Sequence, residues 1–310
     1  MSFLVELDRS EFPDHALDGF AVTPQFALTN AQAMMWMSQL AYETAHRPKV
    51  ESILGAWQLT MRAFASNDPI SGLPPHSACV VAAGGRNATI VAFSGTDPLK
   101  IEDWITDFSP KLSADDLHGG FQAAVATVWP KIKAVIENPP ASEHAVFFTG
   151  HSLGGALAII AAERAARESS VPATAVYTFG SPRTGGQAFF DNYTPALGNV
   201  TFRFVHGTDI VATVPPSLAG RFRHVGRVIQ CPTDGRFDDR PPTAPLDEDK
   251  PDLIGSALAG VLADFAALVA LRPFRGSGPR PLDQLAGALP RMARDHVPAN
   301  YFRALGIPLK

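Results

Sequence analysis

The sequence of this 310-residue chain predicts an α/β protein with a mostly parallel central sheet and helices on both faces. Two observations lead to this fold class. Apolar segments typical of strands alternate with segments of helical periodicity over most of the chain. One of these strands, Ala145–Thr149, is followed by the pentapeptide Gly150-His151-Ser152-Leu153-Gly154 and then by a helical segment rich in small residues. This order predicts a strand that turns sharply into a helix.

Before this turn, the chain is predicted to form one helix and one β-hairpin. Asn30, a residue favoured at helix starts, precedes a helical segment over Ala31–Thr44. Two apolar runs, Ala78–Ala82 and Ala88–Phe93, are separated by the turn-forming sequence Gly84-Gly85-Arg86-Asn87. We therefore expect the first strands of the sheet and a covering helix in this part of the chain.

Helices and strands alternate on both sides of the turn at 150–154. Before it, the apolar residues of Phe121–Glu137 have helical spacing. Runs of apolar and β-branched residues at Ala175–Phe179, Val200–Val205 and Arg221–Gln230 predict three further strands. Strands that alternate with helices pair in parallel, so these strands are predicted to belong to one sheet. We therefore assign residues 1–310 to one domain.

Composition limits the classes of partner and cofactor. The formal net charge is −4 and the chain has no cluster of Arg or Lys, which argues against nucleic-acid binding. Cys79 and Cys231 lie in apolar segments without metal-ligand or disulfide spacing, and are predicted to be buried free thiols. No metal or nucleotide motif is present, so we expect no cofactor. The N-terminus does not resemble a signal peptide, so we expect a cytoplasmic protein or one exported without a leader.

The pentapeptide at 150–154 predicts a nucleophilic serine. A Gly-x-Ser-x-Gly sequence between a buried strand and a helix places the serine, here Ser152, on a strained and accessible turn. Glycines at 150 and 154 allow the strand and the helix to approach closely. Because a serine hydroxyl is a weak nucleophile without an adjacent base, this interpretation requires a histidine and an acid elsewhere in the chain.

Chain order identifies candidates for the acid and the base. When the nucleophile lies on such a turn, the acid and then the histidine follow it in the sequence. Asp209 comes after the predicted strand Val200–Val205 and a short turn, which makes it the candidate acid. His224 and His296 follow it. His224 lies in a predicted strand and His296 in a later loop, which favours His296 but leaves both open.

Ester hydrolysis by a serine also needs donors that stabilise negative charge on the substrate oxygen. The backbone N–H of Leu153, directly after the nucleophile, is one candidate. The loop Phe93–Thr96 is the candidate source of the second donor, because it follows a strand and Gly95 allows the backbone to turn inward.

Seven segments of the chain resemble the fungal-type class 3 lipases of the α/β-hydrolase fold. They occur in the order that the family has, and they span most of the chain from residue 78 onward. Their sequences are VAFSGTDPLKIEDWITDF at 91–108, LHGGF at 117–121, TGHSLGGALA at 149–158, TFGSPRTG at 178–185, FVHGTDIVATVPP at 204–216, FRHVGR at 222–227 and DHVPANYF at 295–302.

The resemblance implies a catalytic triad of Ser152, Asp209 and His296. It also implies that Thr96 supplies an oxyanion donor through its hydroxyl and its N–H. Asp107 then matches the acid that orients this hydroxyl. No metal or other cofactor is implied by this set of residues.

The segment Lys100–Phe108 is predicted to form a lid helix over the site. Ile101, Trp104, Ile105 and Phe108 have the spacing of one apolar helix stripe, and the resemblance places an aromatic lid residue at Trp104. We assign Trp104, Ile105 and Phe108 to the lid and to substrate binding. The alternative is an amphipathic helix that packs permanently on the core.

Residues 232–294 are predicted to form a loop and a helical cap inserted in the domain, without an obvious counterpart in the compact fungal enzymes. The run Leu253–Leu271 is the most apolar in the chain, but Asp264 lies past its middle and would be costly inside a membrane. We therefore expect a packed cap helix. Peripheral contact with a lipid surface and a true membrane span are the alternatives.

Taken together, the sequence predicts a serine-dependent carboxylic ester hydrolase of the triacylglycerol lipase type, whose partner is a lipid ester. A phospholipase, a thioesterase or an esterase for short or aromatic acyl groups could use the same triad. A lipid-binding protein without activity is a further alternative, because a fold does not fix a function.

Overall fold

A computed structural model of the chain describes residues 7–43, 46–65, 80–95, 112–215, 222–240 and 291–308. Within them, seven strands form one sheet and are arranged in sequence order. The first three strands pair antiparallel, and the third to the seventh pair in parallel. The strands are β1 (Thr60–Ala65), β2 (Val80–Gly85), β3 (Ala88–Phe93), β4 (Ala145–His151), β5 (Ala175–Phe179), β6 (Thr201–His206) and β7 (Arg227–Cys231).

Helices connect several of these strands, and others precede the first strand and follow the last one in the sequence. Three short 3-10 helices lie at Arg9–Glu11, Gly198–Val200 and Val211–Thr213. The α-helices of the described residues are α1 (Leu28–Leu40), α2 (Arg47–Ala56), α3 (Gly119–Glu137), α4 (Leu153–Glu168), α5 (Gln187–Leu197), α6 (Arg291–Asp295) and α7 (Pro298–Ala304).

Each face of the sheet carries a hydrophobic core, because alternate strand residues point to opposite sides. On one face, residues such as Val91 and Phe148 pack with the apolar sides of α3, α4 and α5. On the other face, their neighbours Ile90 and Phe147 pack with α1, α2 and α7. The predicted α/β class, with a mostly parallel sheet and helices on both faces, is therefore confirmed.

The structure corrects two details at the N-terminal end. The first predicted helix begins at Leu28 and not after Asn30. Asn30 lies inside α1, and its side-chain amide forms two hydrogen bonds of 2.8 Å with the backbone of Ala21, one to its N–H and one to its C=O. The side chain thus fixes the preceding loop instead of capping the helix, which the local sequence does not reveal.

The last predicted strand is too long. The sequence predicts Arg221–Gln230, whereas β7 spans only Arg227–Cys231. The preceding residues form a loop, with a single bridge between Arg223 and Gly185. Gly226 has a φ of +79°, a left-handed conformation that ends any extended strand at this point. The alternating apolar side chains of this loop pack into the core without forming a sheet ladder.

Several predictions lie outside the described residues. They include the lid segment Lys100–Phe108, most of the inserted region 232–294 with the apolar run Leu253–Leu271, and Cys79. Among the residues that the structure describes, no helix is long and apolar enough to cross a membrane. Cys231 is a free thiol, and burial raises its pKa to about 11.

Candidate active site

Ser152 lies on a sharp turn between β4 and α4. Its backbone has φ +59° and ψ −133°, a conformation that residues other than glycine rarely adopt. Two glycines make the turn possible. A Cβ at Gly150 would lie 2.2 Å from the backbone of Gly154, and a Cβ at Gly154 would lie 2.3 Å from the carbonyl oxygen of Phe93. Strand β4, helix α4 and the end of β3 therefore meet through bare backbone, and the predicted strand–turn–helix arrangement is present.

Asp209 and His296 form a buried pair. His296 Nδ1 lies 2.9 Å from Oδ1 and 2.8 Å from Oδ2 of Asp209. The backbone N–H of Val211 also donates to Asp209 Oδ1, at 2.9 Å. Asp209 follows β6, as predicted, and His296 lies between α6 and α7. Because Nδ1 donates to the carboxylate, Nε2 is the ring nitrogen that remains for another group.

Tyr301 is a third member of this cluster, which the sequence prediction missed. Its hydroxyl donates to Asp209 Oδ2 at 2.5 Å and accepts a hydrogen bond of 3.2 Å from the backbone N–H of His206. Burial, together with the nearby Asp209 carboxylate, raises the pKa of Tyr301 well above its usual value, so the hydroxyl keeps its proton. Its position in the segment DHVPANYF, five residues after His296, was the only signal in the sequence.

The serine and the acid–base pair meet at the end of β5. The Ser152 N–H donates to the Phe179 carbonyl at 2.8 Å. At the next residue, Gly180, a Cβ would lie 2.5 Å from Asp209 Oδ2 and 2.9 Å from His296 Nδ1. Ser152 Oγ and His296 Nε2 are both buried, and neither has a hydrogen-bond partner within the described residues. The structure therefore brings Ser152, Asp209 and His296 to one corner of the sheet.

His151, the residue before Ser152, connects the turn to the segment that carries His296. Its Nε2 lies 2.9 Å from the His296 carbonyl oxygen, and its Nδ1 lies 2.8 Å from the Tyr42 hydroxyl. Burial, and secondarily the charge of His296, lowers the pKa of His151 well below its usual value, so the ring is neutral. Nε2–H then donates to the carbonyl, and Nδ1 accepts from Tyr42.

Two candidate oxyanion elements lie beside the serine. Leu153 is the first residue of α4, where a backbone N–H has no carbonyl of the same helix to bind. Gly95, in the loop predicted to supply the second donor, is packed against the turn, because a Cβ there would lie 3.0 Å from Ser152 Cβ. Thr96 and Asp107, like the lid residues Trp104, Ile105 and Phe108, lie outside the described residues.

His224 is not part of the acid–base pair. It lies in the loop before β7, and its Nε2 is 2.7 Å from the carbonyl oxygen of Ala212. Burial, with the positive charges of Arg203 and Arg183 nearby, lowers the pKa of His224 well below its usual value. Of the two histidines that chain order left open, the structure therefore places His296 beside Asp209, and His224 supports the loop that follows Asp209. No group of three or more His, Cys, Asp or Glu side chains in the described ranges could hold a metal.

Comparison with known proteins identifies the central part of the chain. Residues 90–219 match the family described as Lipase (class 3). The chain is 34% identical over 155 residues to the secreted mono- and diacylglycerol lipase 1 of Fusarium solani, and 33% identical over 159 residues to a lipase of Rhizomucor miehei. These matches cover 47% of this chain but only 45% and 43% of the two lipases, so the chain spans less than half the length of these relatives.

Solved structures of fungal lipases share the fold. Lipase II from Rhizopus niveus superposes with a TM-score of 0.58 over 73% of this chain and 89% of its own, at 19% identity. The lipase from Rhizopus microsporus var. chinensis superposes with a TM-score of 0.56 over 81% of this chain and 88% of its own, also at 19% identity. At this identity the likeness establishes the α/β-hydrolase fold, which confirms the fold predicted from the sequence.

The contact between α4 and β3 can be tested with Gly154→Ala. The added Cβ would lie 2.3 Å from the Phe93 carbonyl oxygen, so backbone must shift, and we expect a loss of about 1–3 kcal/mol in the free energy of unfolding. Urea denaturation measures it. Gly55→Ala is the control, because that glycine is exposed in α2 with no atom within 4 Å, and alanine should stabilise the helix by up to about 1 kcal/mol. An unchanged stability of Gly154→Ala would contradict the close contact.

The buried histidines predict a loss of stability at acidic pH. Burial lowers the folded-state pKa of His151 and His224, so below about pH 6.5 the unfolded chain binds protons that the folded chain does not. Each such histidine contributes a slope of up to about 1.4 kcal/mol per pH unit. Urea denaturation between pH 7 and pH 5 measures the slope. His224→Gln, which keeps a donor for Ala212, should reduce it, and an unchanged slope would count against neutral His224.

Proposed function

We propose that this protein is a serine-dependent carboxylic ester hydrolase that acts on lipid esters. The observation that carries the proposal is a pair of buried reactive atoms, Ser152 Oγ and His296 Nε2, without hydrogen-bond partners in the described part of the chain. Asp209 is bonded to the other nitrogen of His296. A hydroxyl, an imidazole and a carboxylate in this order form a nucleophile, its base and the group that orients the base.

In the proposed reaction, Ser152 Oγ bonds to the carbonyl carbon of the ester while His296 Nε2 takes the hydroxyl proton. Asp209 stabilises the resulting imidazolium. The bond to the alcohol then breaks, and the alcohol leaves with the proton from His296. Water attacks the acyl-enzyme, His296 takes a proton from that water, and returns it to Ser152 as the carboxylic acid leaves.

The negative charge on the carbonyl oxygen is proposed to lie at the N-terminus of α4. The Leu153 N–H is placed to donate to this oxygen, and the positive end of the 16-residue helix dipole favours the same charge. The resemblance assigns the second donor to Thr96, with Asp107 orienting its hydroxyl, and both roles remain part of this proposal.

A lipid ester is the proposed substrate class because the relatives in sequence are named as acylglycerol lipases or lipases. In the structure Ser152 is fully buried and His296 is 2% exposed, so the two side chains are shielded from bulk water.

Ser152→Ala should abolish hydrolysis of both p-nitrophenyl butyrate and emulsified triolein, with kcat reduced by on the order of 10⁵-fold or more, and should remove labelling by a fluorophosphonate. Ser38→Ala is the matched control. Ser38 is buried in α1 and its hydroxyl bonds to Met34 and Thr149, so this variant should remain active and labelled. Labelling of the Ser152→Ala variant would exclude Ser152 as nucleophile. A wild type that cleaves the soluble ester but no acylglycerol would exclude the lipid part of the proposal.

Tyr301→Phe should lower kcat about tenfold with KM unchanged. The variant loses the donor to Asp209, and a hydrogen bond to a charged group contributes about 1.5–3 kcal/mol. Steady-state kinetics with a soluble ester measures the effect. Tyr193→Phe is the control, because its buried hydroxyl bonds to Thr201 in the core between α5 and β6. Both variants should be less stable than the wild type, but only Tyr301→Phe should have a lower kcat. Equal kcat values for the two variants would contradict the role of Tyr301.

A further inference from the structure

A second buried carboxylate lies one residue before the base and binds the residue before the acid. Asp295, which precedes His296, is 0% exposed. Its Oδ2 accepts hydrogen bonds from the Thr208 N–H at 2.8 Å and from the Thr208 hydroxyl at 3.0 Å, and Thr208 precedes Asp209. The Thr233 hydroxyl donates to the same oxygen at 2.8 Å. Hydrogen bonds therefore join the two segments at two successive positions, between Asp295 and Thr208 and between His296 and Asp209.

His206 joins this second carboxylate to the first pair. Its Nδ1 lies 3.1 Å from the Asp295 carbonyl oxygen and 3.8 Å from Asp295 Oδ1, and its Nε2 lies 3.0 Å from the Thr233 carbonyl oxygen. Its backbone N–H donates to the Tyr301 hydroxyl, which in turn donates to Asp209. We call Asp295 and His206 the second couple.

The backbone is shaped around the Asp295 carboxylate. Gly207, between His206 and Thr208, has a φ of +55°, and a Cβ there would lie 2.2 Å from Asp295 Oδ2 and 2.5 Å from the Thr233 hydroxyl. Any side chain at this position would displace the carboxylate. The turn that leads to Asp209 is thus built to receive Asp295.

The base depends on contacts of this kind because its own segment is short. His296 lies outside regular secondary structure, between the end of α6 at Asp295 and the seven-residue helix α7, and a helix as short as α7 does not hold a fixed position by itself. Thr208 and Asp295 are 87 residues apart in the sequence. The position of the His296 ring relative to Asp209 is therefore set by bonds between the two segments.

The Asp295 carboxylate is also costly to bury. Its Oδ1 has no hydrogen-bond partner within the described residues, and a buried polar atom without a partner is unfavourable. Among the described residues, His206 is the basic side chain within 4 Å of this carboxylate, with its Nδ1 3.8 Å from Oδ1. A neutral side chain could fill the same space at lower cost if packing were the only role.

We propose that the second couple is a positioning device, in which Asp295 and His206 hold the base-bearing segment in register with the acid-bearing turn so that His296 Nε2 faces Ser152. Asp295 touches no reacting atom in this scheme. Its kinetic consequence rests on the proposed ester hydrolysis, whereas its structural consequence, the fixing of Thr208 and His296, does not.

The test compares Asp295→Ala with Asp295→Asn. The amide oxygen of asparagine can accept the same three hydrogen bonds, whereas alanine accepts none. We expect Asp295→Ala to lower kcat about tenfold without changing KM, since small misplacements of reacting groups are costly to rate. The rate of fluorophosphonate labelling at Ser152 should fall in parallel. Asp295→Asn should retain kcat within about threefold of wild type.

Glu143→Ala is the matched control. Glu143 is a buried carboxylate just before β4, at the opposite end of that strand from Ser152, and it accepts hydrogen bonds from Arg62 at 2.6 Å and Thr89 at 3.2 Å. The Glu143→Ala variant should have a lower Tm than the wild type but the same kcat. If Asp295→Ala behaves in the same way, with lower Tm and wild-type kcat and labelling rate, the positioning role is overturned.

A second variant covers the case in which Asp295→Ala does not fold. Thr208 is exposed and Thr233 half-buried, so a double Thr208→Val, Thr233→Val variant removes two of the three bonds without changing the core. A several-fold lower kcat supports the proposal, and wild-type kcat contradicts it. Should the wild type neither cleave esters nor be labelled at Ser152, the proposed function fails. Hydrogen exchange then decides the inference, with faster exchange of the Thr208 and His296 amides in the variant supporting it and unchanged exchange overturning it.

Discussion

The close approach of β4, α4 and β3 at Gly150 and Gly154 is the constraint on which the rest of the site depends. Because no Cβ fits between these segments, the chain reverses within one residue and leaves Ser152 in a left-handed conformation at the N-terminus of α4. The same reversal points the serine side chain to the carboxyl end of the sheet. In a parallel sheet, the loops that follow β5 and β6 end at that edge, and they carry Gly180 and Asp209.

The base is held differently from the nucleophile. Ser152 is fixed by regular secondary structure on both sides, whereas His296 lies in the link between α6 and the short helix α7 and takes its position from side-chain contacts. His151 binds its carbonyl, Asp209 binds its ring, and Asp295 ties the preceding residue to Thr208. These contacts come from the end of β4 and from the turn after β6, so the geometry of the proposed triad depends on the packing of distant parts of the chain.

The predicted bounds of an element are correct where its local sequence pattern agrees with its tertiary packing. The hairpin strand β3 and the strand β5 have the predicted bounds, since both are fully buried runs of mostly apolar residues bounded by turn residues. The last strand was predicted six residues too early at its N-terminal side, because Phe222 and Val225 are buried from a loop and make this segment look like a strand. Strand β1 and helix α2 were missed, since the alternation of β1 is weak at the sheet edge and α2 carries few buried residues.

The sequence by itself determined which class of chemistry we propose for this protein. A glycine-flanked serine after a buried strand, followed in order by an acid after a strand and a late histidine, depends on residue type and chain order alone, and both are readable without coordinates. Chain order left His224 and His296 open, the resemblance favoured His296, and the tertiary structure places His296 beside Asp209. Only the tertiary structure revealed the contacts of Tyr301, of His151 and of the second couple of Asp295 and His206. Each of these contacts joins residues far apart in the chain, and no local pattern records which distant backbone carbonyl or carboxylate a buried side chain will meet.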